Sequence, residues 1–325
     1  KAMIIGGTWR IPVLAGLLDK TFIEDQKNDG TFNESGFARE YESEWSGSID
    51  DAYFTSEMFD KCRTLRQPEY EASGRSSKNA YYVVSMDVGR KADTTVFSII
   101  KVTPQSQGQS IKSLVNIFPY SNMHIDDQVI LAKKFFFKFK ARALVIDGTG
   151  IGINFVDLLV KNQIDPETGD TLFGLGVIND DENEYKKYYT EDTILNSLFV
   201  IHASTTLNTV AHANIQSQLS SGRLKFLIDE RAAKEKLLET KVGKAMKPDE
   251  RAEYLKPFTL TSILKEEMLN LYEEQEWINI ILKKHNKKLK KDKFSSLEYG
   301  LYYIKIDEDR RNKRKGSFSD FLFLN

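Results

Sequence analysis

Two apolar stretches of this chain run into a carboxylate and then, within two residues, a glycine. "YYVVSMDVG" reaches Asp87, and "RALVIDG" reaches Asp147. If both stretches are strands of one sheet, their ends bring two carboxylates together. Like charges repel there, and burial raises the cost further. A divalent cation between them removes that cost. Hard oxygen donors favour Mg²⁺ or Mn²⁺ over Zn²⁺. The chain has four histidines and one cysteine, Cys62, with no zinc spacing among them. Taken singly, each aspartate also suits a turn before glycine.

A two-metal site needs further ligands. Asp93 follows Asp87 across a short bend and is a candidate to share a metal or to cap the turn. Asp292 opens a segment in which Phe294, Leu297, Leu301 and Ile304 recur at helical spacing. It is the candidate for a third carboxylate brought in on a late helix, although Asp is also a good N-cap. Glu298 and Asp307 are alternatives. Lys283, Lys284, Lys287, Lys288, Lys290, Lys291 and Lys293 crowd the same segment. Such a run is often only a solvated face. Its functional reading is polyanion binding, since lysines neutralise phosphates with little sequence preference. A carboxylate for metal inside a basic segment for phosphate is what a nuclease requires.

The elements that would position these groups follow from apolar periodicity. Strands are predicted at 81–87, 94–102, 111–118 and 142–147, and helices at 125–139 and 152–162. The order is β-β-β-α-β-α, a mixed α/β sheet with helices on its faces. Residues 165–177 read as a hairpin or long loop. Helices are expected at 190–198, 206–220, 229–240, 260–276 and 295–306, and a strand at 223–228. The basic stretch after 308 is expected to be mobile. Residues 1–60 read as the remnant of another unit, with a strand at 3–5 and a helix near 11–25. Residues 66–79 are rich in Pro, Ser, Gly and charge and read as a linker.

The net charge of −1 provides no global pull on nucleic acid. One cysteine permits no disulfide within the chain, which fits a reducing cytoplasm. "IPVLAGLL" at 11–18 is too short to span a bilayer and lacks a cleavage site, so neither an anchor nor a signal peptide is assigned. The chain begins at Lys1 and is read as a piece of something longer.

Together these motifs resemble the large terminase subunit of tailed bacteriophages. "SMDVGRKADTTVFSII" is similar to that family's first metal motif, "ALVIDGTGIGINFVDLLV" to its second and "KDKFSSLEYGLYYI" to its third. "FAREYESEWSGSIDDAYFTSE" is similar to the stretch joining its ATPase to its nuclease. The resemblance covers roughly residues 30–160 and 285–305. It implies an RNase H-like mixed sheet flanked by helices at 80–325, preceded by the end of an ATPase domain at 1–65 and a linker at 66–79. It implies an endonuclease that cuts concatemeric double-stranded DNA with two divalent ions, Mg²⁺ or Mn²⁺. Asp87 would bridge the ions, Asp147 and Asp292 would complete their coordination, and Asp93 could assist. Lys287, Lys288, Lys290, Lys291, Lys293, Arg310 and Arg311 would hold the DNA. The implied partners are a portal protein and a small terminase subunit. The implied location is the host cytoplasm, transiently at the procapsid portal. Two departures stand out. There is no G-x-x-x-x-G-K-[ST] loop, so ATP hydrolysis is not expected of this chain. Lys291 also stands where many members have a histidine.

Two other readings remain open from the sequence. "MDVGRKADTT" and "VIDGTGIG" also suit the phosphate-cradling segments of an actin-like kinase or ATPase. A DNA- or portal-binding module with inactive acids is the non-enzymatic reading. A dinucleotide site at "GTGIG" is weak, because Ile153 occupies the place of the last glycine.

Overall fold

The computed structural model describes residues 7–28, 41–42, 52–73, 79–89, 94–105, 109–149 and 152–320. In chain order the elements begin with helices α1 (Arg10–Leu14), α2 (Lys20–Asn28) and α3 (Ser56–Lys61). Strands β1 (Arg63–Leu65), β2 (Tyr81–Asp87), β3 (Thr94–Thr103) and β4 (Ile111–Ser121) follow. Next come α4 (Ile125–Lys138), β5 (Ala143–Asp147), α5 (Gly152–Leu159), a small hairpin of β6 (Gln163–Ile164) and β7 (Thr171–Leu172), then β8 (Leu175–Val177) and β9 (Ile194–Ile201). The remainder is α6 (Thr205–Ser220), β10 (Leu224–Leu227), α7 (Glu230–Glu239), α8 (Lys241–Ala245), α9 (Pro248–Leu269), a hairpin of β11 (Leu271–Glu276) and β12 (Asn279–Lys284), and α10 (Asp292–Asp320).

Eight strands form one sheet in the order β1-β10-β4-β3-β2-β5-β9-β8. Its middle, β4-β3-β2-β5-β9, is an antiparallel meander joined through β2 to parallel strands. That is the RNase H-like arrangement. β2 and β5 are buried on both faces, so their sequences read as continuous apolar runs rather than alternating ones. Side chains still alternate between the faces. Tyr82, Val84 and Met86 meet Phe135, Phe136 and Phe155 of α4 and α5 in one core. Tyr81, Val83 and Val145 point the other way, into a core with Phe294, Leu297, Leu301 and Ile304 of α10 and Leu264 and Met268 of α9.

Three expectations are corrected. The segment expected as a helix at 190–198 is largely strand β9. Its buried half touches both cores, and an apolar run without alternation reads equally as helix or strand. The helix expected at 260–276 ends at Leu269, and β11 takes its final residues. The basic stretch after 308 continues α10.

The packing also extends before residue 80. β1 joins the sheet beside β10, and Phe54, Phe59 and Cys62 lie in the core shared with α10. Phe59 stacks on Phe226 at 4.1 Å between centroids. In the segment read as a linker, Glu69 pairs with Lys101 at 2.7 Å and its backbone N–H donates to Val115. The strand expected at 3–5 lies outside the described residues, as does most of 37–57. Helices α1 and α2 occupy the stretch where a helix near 11–25 is expected.

Candidate metal centre

Asp87 and Asp147 end neighbouring parallel strands, each one residue past the last registered pair, Met86 with Ile146. Neighbouring strands lie about 4.8 Å apart. By alternation, both side chains belong to the face that carries Tyr81, Val83 and Val145, which is the face covered by α10.

α10 is pressed closely onto that face. A Cβ at Gly300 would lie 2.6 Å from Ile100 Cδ1 and 2.9 Å from Ser85 Cβ, so only glycine permits this approach. One turn earlier, Ser296 Oγ donates to the carbonyl of Ser85 at 2.9 Å. That bond ties the start of α10 to a point two residues before Asp87. Asp292, the first residue of α10, is thereby brought to the carboxylate end of the sheet.

Electrostatics register this arrangement. The Asp87 carboxyl is pushed up from 3.8 to about 8. Burial is the main cause, followed by the charges of Asp292 and Asp147; Lys291 opposes them and Glu267 adds a smaller push. The buried Tyr299 phenol is also raised, by burial and then by Asp147, Glu298 and Asp87. The Asp87 carboxyl therefore feels the charges of the other two predicted aspartates across a half-buried edge. Among the described residues, no group of three or more His, Cys, Asp or Glu side chains is closed tightly enough to hold a metal ion as it stands. The donor set nevertheless suits a hard cation. It consists of carboxylate oxygens, and one of them is strongly disfavoured as an anion while no cation is present.

Asp147 is oriented by its own turn. Its Oδ1 accepts from the Thr149 N–H at 2.9 Å and the Thr149 hydroxyl at 2.6 Å. Gly148 makes that turn fit against β9. Its N–H donates to Ile201 at 2.7 Å, and a Cβ there would lie 2.3 Å from Val200 Cγ1.

Asp93 lies outside the described residues. The alternative acids are engaged elsewhere. Glu298 is buried against His212 Nδ1, and Asp307 meets Arg142, Arg311 and the Tyr81 hydroxyl. Lys287, Lys288, Lys290 and Lys291 are exposed on the turn between β12 and α10, immediately before Asp292. Lys293 differs from them. Its side chain is half-buried and its ammonium sits 2.9 Å from Glu267. Arg310 and Arg311 lie on the same helix as Asp292, about 27–29 Å away along its axis at 1.5 Å per residue. Arg311 is also bonded to Tyr81, at the opposite end of β2. These two arginines therefore do not share the carboxylate edge.

Sequence reasoning missed Glu267, Tyr299 and Thr149. Thr149 was legible in principle, because Asp-Gly-Thr is an Asx-turn pattern. Glu267 and Tyr299 carry no local signal, because only tertiary packing brings them to the edge.

No protein-family model matches the sequence, and no curated protein matches it. Among solved structures, the nuclease of the large terminase from thermophilic phage G20c with bound magnesium is 13% identical. That match covers 78% of this chain and 97% of that one, with a TM-score of 0.43. The large terminase nuclease domain of Thermus phage P74-26 is 12% identical over 75% of this chain and 93% of that one, with a TM-score of 0.40. The large terminase of bacteriophage HK97 is 8% identical, with a TM-score of 0.42 over 90% of this chain. This chain spans 52% of that longer protein. The fold is RNase H-like on its own strand order, and it is similar to the folds of these terminase nucleases.

Proposed function

We propose that this chain is the nuclease part of a DNA-packaging terminase and cuts concatemeric double-stranded DNA by metal-assisted phosphodiester hydrolysis. The observation that carries this reading is the charge effect at one sheet end: Asp292 and Asp147 both raise the Asp87 carboxyl. Asp87, Asp147 and Asp292 would hold two divalent ions, Mg²⁺ or Mn²⁺. When bound, such ions lower the pKa of a water and stabilise charge on the departing oxygen.

The chain's own residues do the rest. Thr149 fixes the Asp147 carboxylate in one orientation. The helix carrying Asp292 is held on the sheet through Ser296 and Gly300. Lys287, Lys288, Lys290 and Lys291 neutralise backbone phosphates beside the acids, so little sequence preference is expected. Portal protein and a small terminase subunit are the proposed partners, with action in the host cytoplasm at the procapsid. The actin-like reading requires a second copy of the sheet, and the described residues contain one sheet of this kind.

The test is plasmid cleavage with Mn²⁺, Mg²⁺ or EDTA, on the intact chain and on Asp87→Ala, Asp147→Ala and Asp292→Ala. Cleavage that needs the metal and each aspartate supports the reading. Cleavage that survives EDTA refutes it, and ATP turnover without DNA cutting favours the actin-like alternative.

A further inference from the structure

The first residue of α10 carries Asp292, and helix ends are where backbone order is lost first. The initial N–H groups of a helix need acceptors. The preceding residues, Lys290 and Lys291, offer only donors in their side chains. The acceptor comes from another helix. Glu267, in the last turn of α9, is 3% exposed. Its Oε2 accepts the Phe294 N–H at 3.0 Å, and its Oε1 accepts from Lys293 Nζ at 2.9 Å. A single buried carboxylate thus caps the helix and occupies the lysine next to Asp292.

We infer that Glu267 is a positioning residue that sets the cation affinity of the acidic edge, by fixing the first turn of α10 and by keeping the Lys293 ammonium off Asp292. This inference rests on the metal-site reading above. Lys293 is a compact charge on a flexible stem. Released from Glu267, it would have Asp292 as the adjacent carboxylate and would neutralise the edge in place of a divalent ion.

The test uses the whole chain and Mn²⁺ as the probe, measured by isothermal titration at fixed ionic strength, with thermal melting in parallel. Glu267→Gln keeps the side-chain shape and an oxygen for the Phe294 N–H but loses the charge that holds Lys293. It should weaken Mn²⁺ binding by about tenfold or more, the usual effect of removing a group that orients a ligand. The double variant Glu267→Gln with Lys293→Met should recover toward the wild-type affinity, because the competing cation is gone. If Glu267→Gln fails to fold, Lys293→Met alone decides: because Glu267 already holds Lys293 away from Asp292, it should bind Mn²⁺ within about threefold of the wild type, and a larger change in either direction overturns the inference. A Glu267→Gln variant that melts lower but binds Mn²⁺ like the wild type also overturns it, as does a double variant no better than the single one. Asp87→Asn is the control for the underlying reading. If the wild type binds no Mn²⁺, or Asp87→Asn binds it equally well, the metal site itself is wrong, whatever Glu267 does.

Discussion

Replacing Asp87 by Asn should stabilise the metal-free protein at pH 8 while abolishing its response to metal. The Asp87 carboxyl is raised from 3.8 to about 8, so between those values the folded chain keeps a proton that the unfolded chain has released. Stability from this group is complete below about pH 4 and is lost as pH rises through about 8. The full span sets a ceiling of about 5–6 kcal/mol. Solvent penetration and a high effective dielectric reduce it to on the order of 2–3 kcal/mol. At about 2–4 °C per kcal/mol, Asp87→Asn should melt several degrees above the wild type at pH 8 in EDTA. The difference should vanish near pH 4. Adding Mn²⁺ should raise the wild-type melting point by mass action and leave the variant unmoved. Differential scanning calorimetry at the two pH values, with EDTA or Mn²⁺, measures all three effects. A variant less stable than the wild type at pH 8 without metal, or a gap that does not change with pH, would refute the like-charge account of this edge.

The remaining predictions concern separate parts of the structure. Gly148→Ala places a methyl 2.3 Å from Val200 Cγ1 and should cost about 1–3 kcal/mol in denaturant melts, with reduced cleavage because the Asp147 turn is displaced. Replacing Lys287, Lys288, Lys290 and Lys291 by Ala should weaken DNA binding and flatten its salt dependence by about 0.9 per lost phosphate contact, read by fluorescence anisotropy across salt. Arg311→Ala should instead lower the melting temperature and leave the salt slope unchanged, since its guanidinium serves Asp307 and Tyr81. The Lys133 amine is fully buried, donates to the carbonyl of Leu172 at 3.3 Å and to that of Lys161, and is pushed down to about 7. Its contribution to stability is complete above about pH 10.5 and is lost as pH falls through about 7. Lys133→Met should remove that slope from a pH series of urea melts while orphaning both carbonyls.

Local chemistry made much of this protein legible from its sequence. The apolar runs ending at Asp87 and Asp147 identify β2 and β5, and the 3.6-residue spacing from Phe294 to Ile304 identifies α10, because those patterns record which faces meet a core. The β-β-β-α-β-α order follows from the same periodicities. In the polar stretch before 80 a short edge strand and three buried side chains leave little pattern, and only the structure shows Phe54, Phe59 and Cys62 in the core beneath α10. β9 misled because its second half is buried on both faces and has lost its alternation. The lysine run was visible as charge, but only the structure separates the exposed Lys287, Lys288, Lys290 and Lys291 from Lys293, which Glu267 holds, and from Arg310 and Arg311, a helix length away. The sequence thus determined the candidate carboxylates and the elements that bear them. Tertiary packing alone decided which acids share an edge, because charges act over ångströms of space and Glu267, Asp292 and Asp87 are adjacent only after the chain has folded.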